Sequence, residues 1–329
     1  MPGAASVFIR AATVLGLLLL PLAARAQPSE SYPAPTVSFP GGVTGLPNVI
    51  YARYAGYRAL TLDLYQPPAQ ARPLILFLHG GSLKVGDART ALGIADFPAR
   101  LAAMAAHGYV VASVNYRLRD EARFPAQVQD AKAALAFLRA NAARYHIDPA
   151  RVVVWGNSSG GQLAALVAMT CGRKEFAPPS GGNACVQGAV SWYGDLQLSQ
   201  EASDPDVAAF LGCAPCGPAD IATADPMTFA SSATPPMLII HGTADTGVSI
   251  TQSQAMAKKL TDLKVPVETL TIPDVGHGFV GKTPEITRAA NDQALARTLE
   301  FIAACSAAET GQLNNLYRLL EPSFVQLRL

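Results

Sequence analysis

A serine stands between glycines in Gly156-Asn157-Ser158-Ser159-Gly160-Gly161, directly after the β-branched run Arg151-Val152-Val153-Val154-Trp155 and directly before the helix-prone Gln162-Leu163-Ala164-Ala165-Leu166. Strand, sharp turn and helix in that order make a nucleophile elbow, where the chain reverses so tightly that a Cβ at the flanking glycines would strike neighbouring backbone. The turn lifts a hydroxyl above the sheet, placed to attack an acyl carbon. Ser158 fits this frame, with glycine two residues before and two after, whereas Ser159 would need glycine where Asn157 stands. Taken alone, the same residues could be an ordinary glycine turn whose serines cap a helix. The partners a reactive serine needs decide between the two.

Those partners are a base to take the proton, a carboxylate to orient the base, and hydrogen-bond donors for the oxyanion that forms. His277 lies in the glycine-bracketed turn Val275-Gly276-His277-Gly278-Phe279, and Asp245 follows an apolar run in His241-Gly242-Thr243-Ala244-Asp245. Asp274 is a second candidate carboxylate, only three residues before His277. Asp195, after the run ending at Tyr193, is a third and could pair with His241 instead. His79-Gly80-Gly81-Ser82 supplies donors: backbone N–H of Gly81 and Ser82, with that of Ser159, could surround a substrate oxygen without a Cβ in the way. His107 and His146 precede strands and belong at the opposite end of the sheet, as surface residues.

To meet, these loops must leave one edge of a sheet. Leu74-Ile75-Leu76-Phe77-Leu78 is apolar without interruption, as in a parallel strand covered on both faces, and similar runs begin at Tyr109, Arg151, Ala189, Met237 and Val267. Leu60 to Tyr65 alternates apolar and polar residues like a half-exposed strand, after a Pro-rich entry through Pro47. Between the runs lie helical patterns at Ala126 to Tyr145, Ser249 to Leu263 and Thr287 to Ala304, the first with a stripe from Val128 to Tyr145. The alternation predicts an α/β fold, a doubly wound, mostly parallel sheet with helices on both faces, whose site lies beyond the carboxyl ends of the strands. Residues 195–236 break the pattern and read as a lid or substrate wall; Trp192 and Tyr193 line the site or pack in the core.

The chain has 329 residues, half of them apolar, with no linker-like stretch, which favours a single domain over residues 27–305 followed by a tail at 306–329. Residues 1–26 read as a cleaved export signal: Arg10, an apolar run from Ala11 to Leu20, then Pro21 and Ala24-Arg25-Ala26. That run is shorter than the roughly 20 residues needed to span a bilayer. Removing it takes Arg10 and Arg25 from the 25 basic residues, leaving 23 against 24 acidic ones, a balance that speaks against nucleic acid or anionic membrane as a partner. Export to the periplasm or outside the cell makes disulfides expected among the five cysteines. Cys171 and Cys185 would close a Gly/Pro-rich loop, Cys213 and Cys216 have CxxC spacing and read as a small disulfide loop rather than a redox pair or half a zinc site, and Cys305 is left as the free thiol.

From about Leu60 to Ala304 the chain resembles the α/β-hydrolase superfamily, and within it the hormone-sensitive-lipase-like and feruloyl/acetylxylan esterase-like carboxylesterases. The resemblance rests on His79-Gly80-Gly81, Asn115-Tyr116-Arg117-Leu118, Phe124-Pro125 with Asp130, Ile147-Asp148-Pro149-Ala150-Arg151, the elbow, His241-Gly242 with Asp245 and Val248, and Gly276-His277-Gly278-Phe279. It implies Ser158 as nucleophile, Asp245 as orienting acid and His277 as base. It further implies hydrolysis of short-acyl, acetyl-polysaccharide or hydroxycinnamoyl esters through an acyl-enzyme, with no metal and no organic cofactor. Where that family often has a third small residue and then an aromatic after His-Gly-Gly, this chain has Ser82 and Leu83, which alters the acyl pocket. A peptidase or amidase of the same fold, or a binding protein that keeps the fold without the chemistry, are the rival expectations.

Overall fold

The computed structural model describes residues 35–68 and 70–307. The export signal expected at 1–26 and nearly all of the tail at 306–329 lie outside the described residues. Nine strands form one sheet: β1 (Val37–Ser38), β2 (Thr44–Ala52), β3 (Leu60–Gln66), β4 (Arg72–Leu78), β5 (Val110–Val114), β6 (Ile147–Asn157), β7 (Gly188–Trp192), β8 (Met237–Gly242) and β9 (Val267–Ile272). Their spatial order is β1-β2-β3-β5-β4-β6-β7-β8-β9. The pairs β1–β2, β2–β3 and β3–β5 are antiparallel, and every later pair is parallel.

The uninterrupted apolar runs feed two cores because side chains alternate faces along a strand. In β4, Leu74, Leu76 and Leu78 join one core, with α2 (Ala126–Ala140), α3 (Ser159–Met169) and α7 (Ile250–Asp262). Ile75 and Phe77 of the same strand join the other, with α1 (Phe97–Ala106) and α8 (Pro284–Ala307). Helices thus cover both faces, as the strand–helix alternation predicts.

Two local expectations are corrected. Pro47 is not in an entry loop but inside β2, where the pairing register to β3 shifts between Leu46 and Val49. A bulge accommodates a residue without an N–H, and Asn48 takes the left-handed turn there. β3 is not half-exposed: Asp63 is buried, its carboxylate bonded by Arg89 Nε at 2.6 Å and by the Asn48 N–H at 2.8 Å. An alternating pattern cannot anticipate a carboxylate satisfied from a loop 26 residues further on.

The pattern-breaking stretch 195–236 folds into three short helices, α4 (Pro205–Leu211), α5 (Pro218–Ala222) and α6 (Pro226–Phe229). Each begins with a proline, whose missing N–H costs nothing in a first turn. Asp204 and Asp225 cap two of them by accepting from the N–H of Asp206 and Met227. Disulfides join Cys171 to Cys185, between α3 and β7, and Cys213 to Cys216, between α4 and α5. Chain-entropy reasoning gives about 3 kcal/mol to a loop of the first size and about 2 to the second. Cys305 is a buried free thiol, which burial pushes up to about 12.

Candidate active site

The end of β6 and the start of α3 cross within the thickness of one backbone. A Cβ on Gly156 would overlap the Gly160 carbonyl oxygen, and one on Gly160 would overlap that of Leu78, so neither position accepts a side chain. Between them Ser158 is held at φ 54° and ψ −130°, a conformation costing on the order of 1–3 kcal/mol that the surrounding packing must sustain. Its N–H donates to Trp192 O at 2.9 Å, tying the elbow to β7. Ser158 therefore stands at the N-terminus of α3, where free N–H groups and the helix dipole favour negative charge.

The loops after β8 and β9 bring the two other residues to it. His277 Nε2 lies 2.9 Å from Ser158 Oγ, and His277 Nδ1 lies 2.9 Å from Asp245 Oδ2. An ionised carboxylate can only accept, so Nδ1 carries the proton and Nε2 presents its lone pair to the serine hydroxyl. The Asp245 side chain is 0% exposed and His277 25% exposed, a carboxylate sealed inside and an imidazole open to the cleft. The His277 ring packs edge-on against Tyr193 at 4.8 Å.

Asp245 is saturated with donors. Oδ1 accepts from the Gly247 and Val248 N–H at 2.8 and 2.9 Å, and Oδ2 faces both His277 and His241 Nε2, the latter at 3.2 Å. Burial works against its charge, but the bonds from His241, His277 and Val248 outweigh it and hold the carboxyl well below the usual carboxylate range. His241 is buried, and its Nε2 also lies 3.0 Å from Val248 O. With acceptors on that side, Nε2 bears the proton and Nδ1 accepts from Ser253 Oγ at 2.7 Å.

The rival carboxylates sit elsewhere. Asp274 is exposed, and its backbone N–H, not its carboxyl, makes a contact, to Thr243 Oγ1. Asp195 does not meet His241; it lines the cleft next to Ser158. His107 and His146 are exposed. Trp192 and Tyr193 are core residues, although the Tyr193 hydroxyl accepts from Asn157 Nδ2 at 3.3 Å.

The loop after β4 is clamped in place. Gly80 N–H donates to Asn157 Oδ1 at 3.0 Å, Leu83 N–H to Ser159 Oγ at 3.2 Å, and Tyr116 Oη to His79 O at 2.6 Å. His79 stacks on Tyr116 with ring centres 4.4 Å apart, and Nδ1 lies 2.8 Å from Gly80 O. Burial lowers the His79 imidazole to about 4, so it stays neutral and donates that bond. Gly81 takes φ 115°, and a Cβ there would overlap Val85 O. Among the described residues no acceptor meets the N–H of Gly81, Ser82 or Ser159. Sequence reasoning singled out those three N–H groups but gave no role to the braces, Asn157, Tyr116 and the Ser159 hydroxyl, although all three stand inside the motifs.

Ser158 and His277 lie between two recesses. One, about 220 Å³, is walled by Leu83, Gln162, Asp195, Glu201 and Phe210; the other, about 420 Å³, by Val85, Thr90, Ala91 and Leu92. Part of the stretch 195–236, from Asp195 to Phe210, thus walls the first recess, and Leu83, at the position where the resembled family often has an aromatic, lines it as well.

A family model described as BD-FAE matches residues 62–260. The chain is 29% identical over 241 residues to the esterase LipC of Mycobacterium tuberculosis, covering 69% of this chain and 58% of LipC. It is 33% identical over 255 residues to the carboxylesterase NlhH of the same organism, covering 70% and 75%. The chain spans just over half the length of LipC. Among solved structures, a truncated carbohydrate esterase from gut microbiota aligns with TM-score 0.68 and 26% identity, over 80% of this chain and 96% of that one. Propionate-bound esterase 2 of Thermogutta terrifontis aligns with TM-score 0.65 and 26% identity, with the same coverage. Among the described residues no helix is long and apolar enough to cross a membrane.

Proposed function

The chain belongs to the BD-FAE family of α/β-hydrolases, and from that premise we propose that it is a serine carboxylesterase working through an acyl-enzyme on Ser158. The observation that carries the reading is the unbroken relay from Ser158 Oγ through the His277 ring to Asp245, with both links at 2.9 Å. Ser158 Oγ attacks the ester carbon while His277 Nε2 takes its proton. The carbonyl oxygen, now an anion, is received by the free N–H groups of Gly81, Ser82 and Ser159, each such donor being worth about 3 kcal/mol in the barrier. Collapse breaks the bond to the alcohol, which leaves with the proton from His277. Water then repeats the sequence on the acyl-enzyme and frees the acid.

The substrates we favour are short acyl groups on a polysaccharide, or hydroxycinnamoyl esters. The likeness to a carbohydrate esterase supports this. The sequence of residues 1–26 and the two disulfides support a periplasmic or secreted enzyme. A direct test is turnover by the purified full chain of p-nitrophenyl acetate, acetylated xylan and methyl ferulate beside an acetyl p-nitroanilide. The ester reading expects hydrolysis of p-nitrophenyl acetate and at least one of the other esters, with the anilide slower by a factor of about a hundred or more. Preferred cleavage of the anilide would make the protein an amidase, and no turnover of any ester would make it a binding protein.

A further inference from the structure

The two recesses beside Ser158 differ in chemistry. Four carboxylates stand in the wall of the smaller one: Asp195, Glu201, Asp204 and Asp206. Two are engaged elsewhere, Asp206 with Arg119 Nη2 at 2.6 Å and Asp204 as the cap of α4. No lysine or arginine among the described residues is bonded to Asp195 or Glu201, which line the same recess. The larger recess has no acidic residue among those that line it, and its rim carries Val85 and Leu92, 61% and 56% exposed.

A buried side chain holds Glu201 and the backbone between it and Asp195. Gln252 of α7, 1% exposed, donates through Nε2 to Glu201 Oε1 at 2.5 Å, and its Oε1 accepts the Gln197 N–H at 2.9 Å. A core helix thus spends a whole amide on fixing the segment between the two acids. Burial and the Glu201 charge push the Asp195 carboxyl up, and burial pushes that of Glu201 up as well. Two carboxyls in one wall present several acceptor oxygens to whatever enters the recess.

Resting on the reading of Ser158 as nucleophile, we propose that Asp195 and Glu201 are specificity-determining residues that bind the alcohol portion of the substrate as a neutral, polyhydroxylated group, while the acyl portion lies over Val85 and Leu92. Hydroxyls donate to carboxylate oxygens, and neighbouring hydroxyls on one alcohol complement two such acceptors in one wall. An anionic alcohol meets repulsion. A quaternary cation would need aromatic faces, and Phe210 is the single aromatic residue in this wall.

The test uses monoacetylated methyl glucoside, p-nitrophenyl acetate, acetylcholine and acetylsalicylate with the wild-type chain and the Asp195→Ala/Glu201→Ala double variant. The ratio of kcat/KM for the glucoside ester to that for p-nitrophenyl acetate is expected to fall at least about tenfold in the variant, as for the loss of one or two bonds to charged groups, and mainly through KM. In the wild type the glucoside ester is expected to exceed both charged esters. An NMR titration with methyl glucoside reads the same subsite without turnover, so it holds even where the esterase reading fails, and weaker binding to the variant is expected. A ratio within about twofold of wild type, unchanged glucoside binding, or a wild-type preference for acetylcholine overturns the proposal.

Discussion

Replacing Ser158 by alanine is expected to lower the turnover of p-nitrophenyl acetate at least about ten-thousandfold, while circular dichroism and the melting temperature stay near those of wild type. The hydroxyl makes one side-chain bond, to His277, whose loss removes on the order of 1 kcal/mol from the fold. Alanine keeps the Cβ and the same elbow backbone, so the unfavourable φ 54° is neither relieved nor worsened. Catalysis and stability therefore separate at this position. Steady-state kinetics beside a thermal melt check the outcome, and a variant with wild-type turnover would remove Ser158 from the chemistry.

Asp245→Asn is expected to lower kcat by a factor on the order of ten thousand. The size follows from how its two oxygens are used. Oδ1 accepts from two backbone N–H groups and Oδ2 faces two imidazoles. An asparagine has one acceptor oxygen, and the backbone side, which cannot change its protons, claims it. The amide NH2 then points at His277, whose Nδ1 must become the acceptor. The proton moves to Nε2, facing Ser158 with a hydrogen where a lone pair is required. Asp274→Asn is the contrasting control, since its exposed carboxyl contacts neither histidine, and it is expected to change kcat less than about threefold. The reverse ranking would transfer the orienting role to Asp274.

What could be read without coordinates was whatever local sterics impose. Only glycine fits at 156 and 160, and runs such as Leu74 to Leu78 can only be strands buried on both faces, so the elbow, the parallel sheet and the edge shared by residues 79, 158, 245 and 277 were legible. What escaped depends on contacts distant in sequence. The bulge that admits Pro47 is decided by the register of β2 against β3, and the burial of Asp63 by Arg89. His241 was expected as a rival base and instead bonds Asp245, because the turn after β8 folds the carboxylate back over this strand-end histidine. Asp195 was weighed as a partner for that histidine; it lines the same recess as Glu201, which Gln252, 51 residues further on, bonds. Composition set the segment 195–236 apart without revealing which of its side chains would line the recess beside Ser158.

The central claim is that the hydroxyl of Ser158 is the one the His277–Asp245 relay activates. Treating the full chain with a fluorophosphonate and mapping the adduct by peptide mass spectrometry tests it most directly. The account predicts one phosphonyl group on the peptide holding Ser158, formed far more slowly in a His277→Ala variant. An adduct on Ser159 or another residue, or labelling of Ser158 at the same rate without the imidazole, would contradict it.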